Sequence, residues 1–350
     1  MTLHYQADAL QTMAQTLLHA AGLDTTIARC VARTLLDGDL LGHDTHGLAL
    51  LAPYLREIDQ GRMATRGEPE IVRSKPAAML WDGQRLPGPW LMERALDHMI
   101  PAARQYGVSS LVIRRSHHIA CLAVYLMRVA EEGMLGMVAC SDPNTASVAP
   151  FGGTVAVMTP NPIAIGFPTS SGPVLIDISA SITTNGMSNR KAAAGETFAE
   201  PWLMDAQGQP TNDPAVLAQT PPGTILPIGG MSYGHKGYGL GLTVEALTAG
   251  LAGHGRADPS EGWGATVQVT LHDPDAYGGP DAFVRQMDWL AKACTDNPPI
   301  PGRPAVRLPG QAGMRRLREQ TANGVALHPG IAPMLAPFCA KYGSAFPAPL

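Results

Sequence analysis

Apolar residues recur at helical spacing through the first 60 positions. Residues 6–22 and 24–38 follow this period, and Asp24 stands where the N-cap of the second segment belongs. Over residues 48–58 the apolar side chains step by three and four, which places them on one face of a helix that ends near Gly61. The pattern therefore predicts three short helices that form a helical N-terminal layer.

Short apolar runs typical of strands begin after residue 66. They occupy residues 68–74, 77–83, 108–114, 134–140, 161–168, 173–179 and 264–271. Helical patterns occupy residues 89–106, 119–132, 237–252 and 281–293, and Pro101 is expected to kink or break the first of them. These elements predict an α/β or α+β chain, divided softly into a helical segment (1–65), a mixed region (66–300) and a mostly helical C-terminal segment (301–350), with domains that are discontinuous in sequence.

Composition narrows the class of protein. The chain has 350 residues, of which 45% are hydrophobic and 15% charged, as expected of a globular protein with a sizeable core. A net charge of -4 argues against a general nucleic-acid binder. The five cysteines are scattered and odd in number, which argues against a disulfide framework or a zinc knuckle. With no signal-peptide pattern and no apolar run long enough for a membrane span, we expect a cytoplasmic protein.

Several common motifs are absent from the sequence. The segment GYGLGL (237–242) does not have the spacing of a dinucleotide fingerprint, and its glycines are better explained by close helix packing. There is no P-loop and no H-E-x-x-H motif. The segment HDTH (43–46) could supply two ligands of a metal site, but no third ligand is evident, so we predict no metal. A metal-dependent hydrolase is the third-ranked hypothesis.

The segment GHDTHG (42–47) is the first candidate for proton chemistry. Asp44 or Thr45 is expected to cap the following helix, which would place His46 in its first turn. The start of a helix disfavours a charged imidazole and attracts an anion such as a substrate carboxylate. The alternative is a cap beside a histidine that faces solvent. We expect His43 to be supporting structure that need not face the same way.

Two further segments contain candidate functional groups. In RRSHHIAC (114–121), Ser116 is expected to cap a helix that begins with His117 and His118, and capping alone is the alternative explanation. In PVLIDIS (173–179), Asp177 interrupts an apolar strand. Such a carboxylate needs a partner, either a histidine or, on an edge strand, backbone N–H groups.

The glycine-rich segment GGMSYGHKGYGLGL (229–242) is a candidate phosphate site. A loop rich in glycine lets backbone N–H groups approach a phosphate, and Lys236 would add a positive charge. The alternative is a flexible turn before a helix.

Taken together and in order, these segments make the chain resemble the type-2 malate/L-lactate dehydrogenases, NAD(P)-dependent oxidoreductases of 2-oxo and 2-hydroxy acids. The matching stretches are GHDTHG (42–47), SHHIA (116–120), APFGG with TPNPIAIGFP (149–168), VLIDIS (174–179), NG (185–186), HKGYGLGLTVEAL (235–247) and LPG (308–310). The forms SHHIA and GHKGY are most similar to the hydroxycarboxylate dehydrogenase branch. The resemblance implies a non-Rossmann α/β fold with a mostly antiparallel or mixed nucleotide-binding sheet.

The resemblance also implies roles for individual residues. His46 matches a proton donor beside Thr45, Asp177 matches a carboxylate that acts with it, and His118 matches the proton acceptor assigned in some members. The implied contacts to NAD or NADP are His118, Ile119, Ala120, Cys121, Ser141, Asp177, Ile178, Ser179, Lys236, Gly237, Pro309, Gly310 and Gln311. Members of the family are typically homodimers with the site near the subunit interface.

Two positions depart from the family pattern. Leu50 replaces an arginine that can hold the substrate carboxylate, and Met187 replaces a lysine. These replacements point to another anchor, with Arg190 as the candidate, or to another substrate. The leading hypothesis is hydride transfer to a 2-oxo acid. The alternatives are a cyclic imino-acid reductase of the piperideine-2-carboxylate type and a nucleotide-binding relative with impaired catalysis.

Overall fold

The computed structural model describes residues 3–350. Helices are distributed along the whole chain: α1 (Ala7–Ala20), α2 (Thr25–Leu41), α3 (Leu51–Asp59), α4 (Gly88–Tyr106), α5 (Leu122–Glu131), α6 (Asn185–Ala194), α7 (Gly230–Tyr233), α8 (His235–Glu245), α9 (Pro280–Thr295), α10 (Gln311–Asn323) and α11 (Ile331–Lys341). Short 3-10 turns lie at Leu48–Leu50, Pro214–Ala218 and Pro274–Ala276, and a π-helical turn lies at Ala246–Gly250.

The strands fall into one large sheet and smaller pairings. They are β1 (His4–Tyr5), β2 (Glu70–Lys75), β3 (Ala78–Asp82), β4 (Val108–Ser116), β5 (Leu135–Ser141), β6 (Pro162–Phe167), β7 (Val174–Ser179), β8 (Leu203–Met204), β9 (Pro210–Thr211), β10 (Thr224–Ile225), β11 (Ala265–His272) and β12 (Val325–Ala326). The large sheet has the order β2-β3-β4-β11-β5-β6-β7. β3 and β4 run parallel, and the other neighbouring pairs of this sheet are antiparallel. This confirms the predicted mixed, non-Rossmann sheet.

Both faces of the large sheet are covered. Helices α4 and α5 pack on one face, while α8 and the π-helical turn pack against β5 and β11. The central strand β11 is accordingly buried on both sides, with Val267 and Val269 on one face and Thr266 and Gln268 on the other. β7 is left at an edge of the sheet, which makes its side chains and backbone available for a site.

The predicted helical N-terminal layer is present and is joined by the C-terminal helices. Asp24 caps α2 as expected, since its carboxylate accepts hydrogen bonds from the N–H groups of Thr26 and Ile27. Helix α2 packs against α1, α4 and α10, and α11 packs against α3. Strand β1 pairs with β12, so the two ends of the chain are held together. None of the helices within residues 3–350 combines the length and apolar character needed to cross a bilayer.

Two local predictions are wrong, and a third is narrowed. The helix expected at residues 119–132 begins only at Leu122, because Ala120 has a left-handed backbone (φ 59°) that a helix does not admit. Helix α4 continues through Pro101, so the break offered as one outcome there does not occur, and the kink stays a prediction. The glycine-rich segment before residue 242 is not a loop, since most of it belongs to α7 and α8.

The sequence analysis also missed elements between residues 185 and 225. Helix α6 has little segregation of apolar and polar residues, so its pattern does not reveal it. β8, β9 and β10 have two residues each, which is too short for a visible alternation.

Candidate active site

The loop with His46 is fixed from a distance by Asp39. The Asp39 carboxylate accepts a hydrogen bond from the Leu48 N–H at 2.6 Å, and this caps the 3-10 turn that leads into α3. The prediction that Asp44 or Thr45 makes this cap is therefore wrong. The carboxylate also lies against Gly47, where an added Cβ would be 2.4 Å from it, so the loop needs glycine there.

His46 lies in this loop rather than in the first turn of a helix, which corrects the predicted helix-start effect. Burial lowers the pKa of His46, and the negative charge of Asp177 acts in the opposite direction. The Thr45 hydroxyl lies 2.8 Å from His46 Nδ1, so this nitrogen is held by its neighbour. Burial outweighs the charge of Asp177, so the pKa of His46 lies below its ordinary value.

The ring of His118 lies beside the ring of His46. Their ring centroids are 6.1 Å apart and the rings are nearly parallel, with 25° between their planes. His118 also packs on Trp263, at 4.7 Å between centroids, and its Nδ1 lies 2.9 Å from the Tyr54 hydroxyl. Burial lowers the pKa of His118 well below its ordinary value, so the ring is neutral.

His117 packs on Tyr54 and Trp263 and directs its Nε2 to Glu57, and Ser116 does not cap a helix. Ser116 ends β4 and its hydroxyl donates to the His117 carbonyl, while Cys121 occupies the N-cap of α5. His117 Nε2 lies 3.3 Å from a Glu57 carboxylate oxygen, and Glu57 also binds Arg62. Burial lowers the pKa of His117 to about 4, so it is a neutral structural residue.

Asp177 is bound by backbone, as the edge-strand alternative expects. Its Oδ2 accepts a hydrogen bond from the Ala123 N–H at 3.0 Å, at the start of α5, and lies 3.7 Å from Cys121 Sγ. Among residues 3–350 its carboxylate has no hydrogen bond to a histidine, so it acts on His46 through its charge.

His43 lies closer to Asp177 than expected. One ligand atom each of His43, Cys121 and Asp177 lie within 4.8 Å of one another, so His43 belongs to the same group of side chains as Asp177, and its supporting role stays a prediction. This group could hold a metal ion, and the predicted absence of a metal stays a prediction.

Two segments implied to bind the cofactor contact the region of β7. The Leu175 N–H donates to the Pro309 carbonyl at 3.2 Å, and a Cβ on Gly310 would lie 2.8 Å from Leu175. Gly237 packs against the backbone of Ala180, just past the end of β7. Pro309–Gln311 and Lys236–Gly237 thus flank the edge strand that contains Asp177, Ile178 and Ser179.

The remaining implied cofactor contacts differ in accessibility. Lys236 is exposed and has no ion pair among the described residues. Ile178 is 46% exposed beside Asp177. Ser141, in contrast, is fully buried and its hydroxyl lies 2.9 Å from that of Thr248. Its side chain is therefore committed to the protein interior.

Arg190 is engaged with the histidine loop. Its guanidinium forms an ion pair with the Asp44 carboxylate at 3.0 Å and donates to the Asp44 carbonyl at 3.0 Å. Leu50 is half-buried against the main core, and Met187 packs against the small cluster around Phe198. Those two departures from the family pattern are therefore apolar packing positions.

Sequence reasoning missed three residues of this site: Asp39, Tyr54 and Trp263. Asp39 is a carboxylate among leucines late in α2, which could have raised the question of its partner. Tyr54 lies three residues after Leu51 of the apolar stripe and could have been assigned to its face. Trp263 precedes β11 and gives no local signal.

Comparison with known proteins gives consistent matches over nearly the whole chain. Residues 5–336 match the family described as malate/L-lactate dehydrogenase. The L-lactate dehydrogenase of Cupriavidus necator is 30% identical over 326 residues, covering 91% of this chain and 92% of that protein. Hydroxycarboxylate dehydrogenase B of Escherichia coli K12 is 27% identical over 334 residues, covering 93% and 91%.

A third relative and a solved structure also match nearly the whole chain. The delta(1)-pyrroline-2-carboxylate reductase of Ancylobacter novellus is 28% identical over 327 residues, covering 89% of this chain and 90% of that protein. The crystal structure of malate dehydrogenase from Entamoeba histolytica has a TM-score of 0.93 at 23% identity, covering 99% of this chain and 100% of that one. The latter similarity establishes the shared fold.

Proposed function

Because this chain belongs to the malate/L-lactate dehydrogenase family, we propose that it is an oxidoreductase that moves a hydride between a nicotinamide cofactor and C2 of a small 2-oxo or 2-hydroxy acid. The main structural support is the pairing of His46 with His118 beside the charge of Asp177. Two histidines whose surroundings separate their proton affinities are suited to different roles at one reacting oxygen.

The residues along β7 fit a nicotinamide dinucleotide, NAD or NADP. Lys236 is a cation without a carboxylate partner in the described part of the chain, as a phosphate-binding group requires. Ile178 offers an exposed apolar side chain to a flat ring. When bound, the nicotinamide supplies or takes up the hydride at C2. We propose the implied contacts at His118–Cys121, Asp177–Ser179, Lys236–Gly237 and Pro309–Gln311, and we assign the Ser141 side chain to structure.

We assign proton transfer to His46. In the reducing direction its charged ring gives a proton to the substrate oxygen, and Asp177 stabilises that charged form. The Thr45 hydroxyl holds Nδ1, which leaves Nε2 for the substrate. His118 stays neutral and donates a hydrogen bond to the same oxygen.

Arg190 is the proposed anchor for the substrate carboxylate. A guanidinium has five N–H donors, and the two contacts to Asp44 leave others for a ligand. The apolar side chains of Leu50 and Met187 would not add a second charge. We therefore favour monocarboxylates over dicarboxylates as substrates.

The decisive experiment compares His46→Ala with His118→Ala. We expect His46→Ala to lower kcat by roughly 10²–10⁴, the usual effect of removing a positioned proton donor. Cofactor affinity, measured by quenching of protein fluorescence with NADH and NADPH, should stay nearly unchanged. If His46→Ala keeps turnover within a few-fold while His118→Ala abolishes it, proton transfer belongs to His118.

A screen of both cofactors against a panel of 2-oxo acids and cyclic imino acids tests the reaction itself. The similarity to a pyrroline-2-carboxylate reductase makes reduction of a cyclic imino acid the second candidate. Turnover with the imino acids alone would favour that reaction. Cofactor binding with no turnover on any acid would favour a nucleotide-binding relative that has lost catalysis.

A further inference from the structure

The hydrogen bonds around His118 determine where its ring hydrogen lies. The backbone N–H of Ala120 lies 3.3 Å from His118 Nδ1, and a backbone N–H can only donate. Nδ1 is therefore an acceptor. Because a buried neutral imidazole has one N–H, its hydrogen must be on Nε2.

Tyr54 strengthens this arrangement from α3. Its side chain is fully buried, and its hydroxyl lies 2.9 Å from His118 Nδ1 and 3.1 Å from the His118 carbonyl oxygen. Burial raises the pKa of Tyr54, so the hydroxyl keeps its hydrogen and donates it to one of these acceptors.

Ala120 and Trp263 restrict the ring in the other directions. Ala120 has a φ of 59°, a left-handed conformation that residues other than glycine rarely adopt. This conformation brings its N–H back to the ring of His118. Trp263 packs against the face of that ring and also contacts the ring of Tyr54, at 5.7 Å between centroids.

We propose that Tyr54, Trp263 and the backbone of Ala120 are positioning residues that hold His118 with its hydrogen on Nε2, aimed at the substrate oxygen. The proposal rests on the function proposed above. It separates the two histidines by role: His118 is a permanent hydrogen-bond donor, and His46 is the histidine that titrates during turnover.

The test uses protein labelled with ¹⁵N in its histidine rings. We expect the His118 signals, identified by their loss in His118→Gln, to show an unprotonated Nδ1 and a protonated Nε2 that do not change between about pH 5.5 and 8. In Tyr54→Phe the two nitrogen signals should move toward each other, as exchange between tautomers begins. The kcat of this variant should fall by about tenfold, since the hydroxyl that holds His118 at its Nδ1 or its carbonyl is lost.

Tyr125→Phe is the matched control. Tyr125 is also buried in this region, but its hydroxyl donates to the Ile119 carbonyl and not to His118. We expect this variant to lose stability while its His118 signals and kcat stay within about twofold of the parent.

The proposal is overturned if His118 has its hydrogen on Nδ1, if it titrates in this range, or if Tyr54→Phe and Tyr125→Phe change kcat equally with unchanged His118 signals. The nitrogen signals need no substrate. If the His118 signals are as expected but the protein turns over no acid, the proposed function is overturned and the proposal about His118 is not.

Discussion

At the scale of single residues, Asp39 has the most unusual environment in the site. Its side chain is 3% exposed, one oxygen binds the Leu48 N–H, and the other has no hydrogen-bond partner among residues 3–350. Burial raises the pKa of Asp39 to about 7. Because folding raises the pKa of this carboxyl, the folded state is favoured while the carboxyl is protonated. The free energy of unfolding therefore decreases as the pH rises to about 7.

Asp39→Asn should remove this pH dependence, because the amide oxygen can still accept from Leu48 and cannot ionise. Each unit of pKa shift corresponds to about 1.4 kcal/mol, so we expect the parent to lose roughly 2–4 kcal/mol more stability than the variant between pH 5 and 8. Urea unfolding at both pH values measures this. Glu131→Gln, at an exposed position, serves as the control, and parallel curves for parent and Asp39→Asn would contradict the expectation.

Among the proposed cofactor contacts, Lys236 is the one whose contribution is easiest to isolate. Lys236→Ala should raise the Kd for the cofactor by about tenfold, as expected from the loss of one charge-assisted hydrogen bond. Lys75→Ala, on β2 at the opposite edge of the sheet, should leave the Kd unchanged. Equal affinities of Lys236→Ala and the parent in fluorescence titration would refute the assignment.

At the scale of elements, α8 illustrates why its glycines are not equivalent. Gly237 packs so closely on its neighbours that an added Cβ would lie 2.3 Å from the nitrogen of Ile228, just before α7, and 2.6 Å from the oxygen of Ala180, just after β7. Gly239, two residues later on the same helix, has no atom within 4 Å of such a Cβ. The first glycine sets the distance between α8 and the end of β7, and the second does not.

Substitution of these two glycines should therefore have opposite effects. We expect Gly237→Ala to destabilise the protein by about 1–3 kcal/mol, since backbone must move to admit the methyl group. Gly239→Ala should stabilise it by up to about 1 kcal/mol, because alanine favours a helix. Thermal unfolding of both variants measures these effects. If Gly237→Ala is as stable as the parent, the expectation is contradicted and α8 is free to shift.

The helices and strands differ in how well the sequence predicts them. Long elements with a regular apolar period, such as α1, α4 and β11, were predicted close to their observed bounds. The loops with histidines were not, because their structure is set by distant groups. Asp39 caps a turn that begins nine residues later, and the left-handed backbone of Ala120 makes α5 begin later than expected. Neither effect is visible in a local sequence pattern. The candidate residues themselves could be chosen from the sequence, but the supporting groups Tyr54 and Trp263 required the fold.

At the scale of the whole molecule, two neighbouring segments together expose a group of large apolar side chains. The loop with Phe151, Val155 and Val157 lies beside the segment with Met231 and Tyr233, and each of these side chains is at least 40% exposed. Monomeric proteins rarely expose a large continuous apolar patch. We propose that a second copy of the chain covers these side chains in a homodimer.

Sedimentation equilibrium should then give about twice the chain mass of 36.8 kDa. Val155→Asp combined with Val157→Asp should shift the protein to monomer, because a charge in a packed apolar interface is costly. Ile300→Asp is the control, since Ile300 is as exposed as Val155, at 74%, but belongs to another segment of the chain. A single-chain mass for the parent protein would refute the homodimer.

The place of β11 between β4 and β5 determines when the molecule can be completed during synthesis. A ribosome makes β2 to β7 first, yet β4 and β5 are joined only through a strand that ends at His272. Until that strand leaves the exit tunnel, both neighbours present unpaired edges, which invite association with other nascent chains. The long separation in sequence also makes this pairing a slow step. The edges of β4 and β5 therefore stay unpaired while the residues between Ser141 and Ala265 are made, and we expect the yield of folded protein to depend on chaperones.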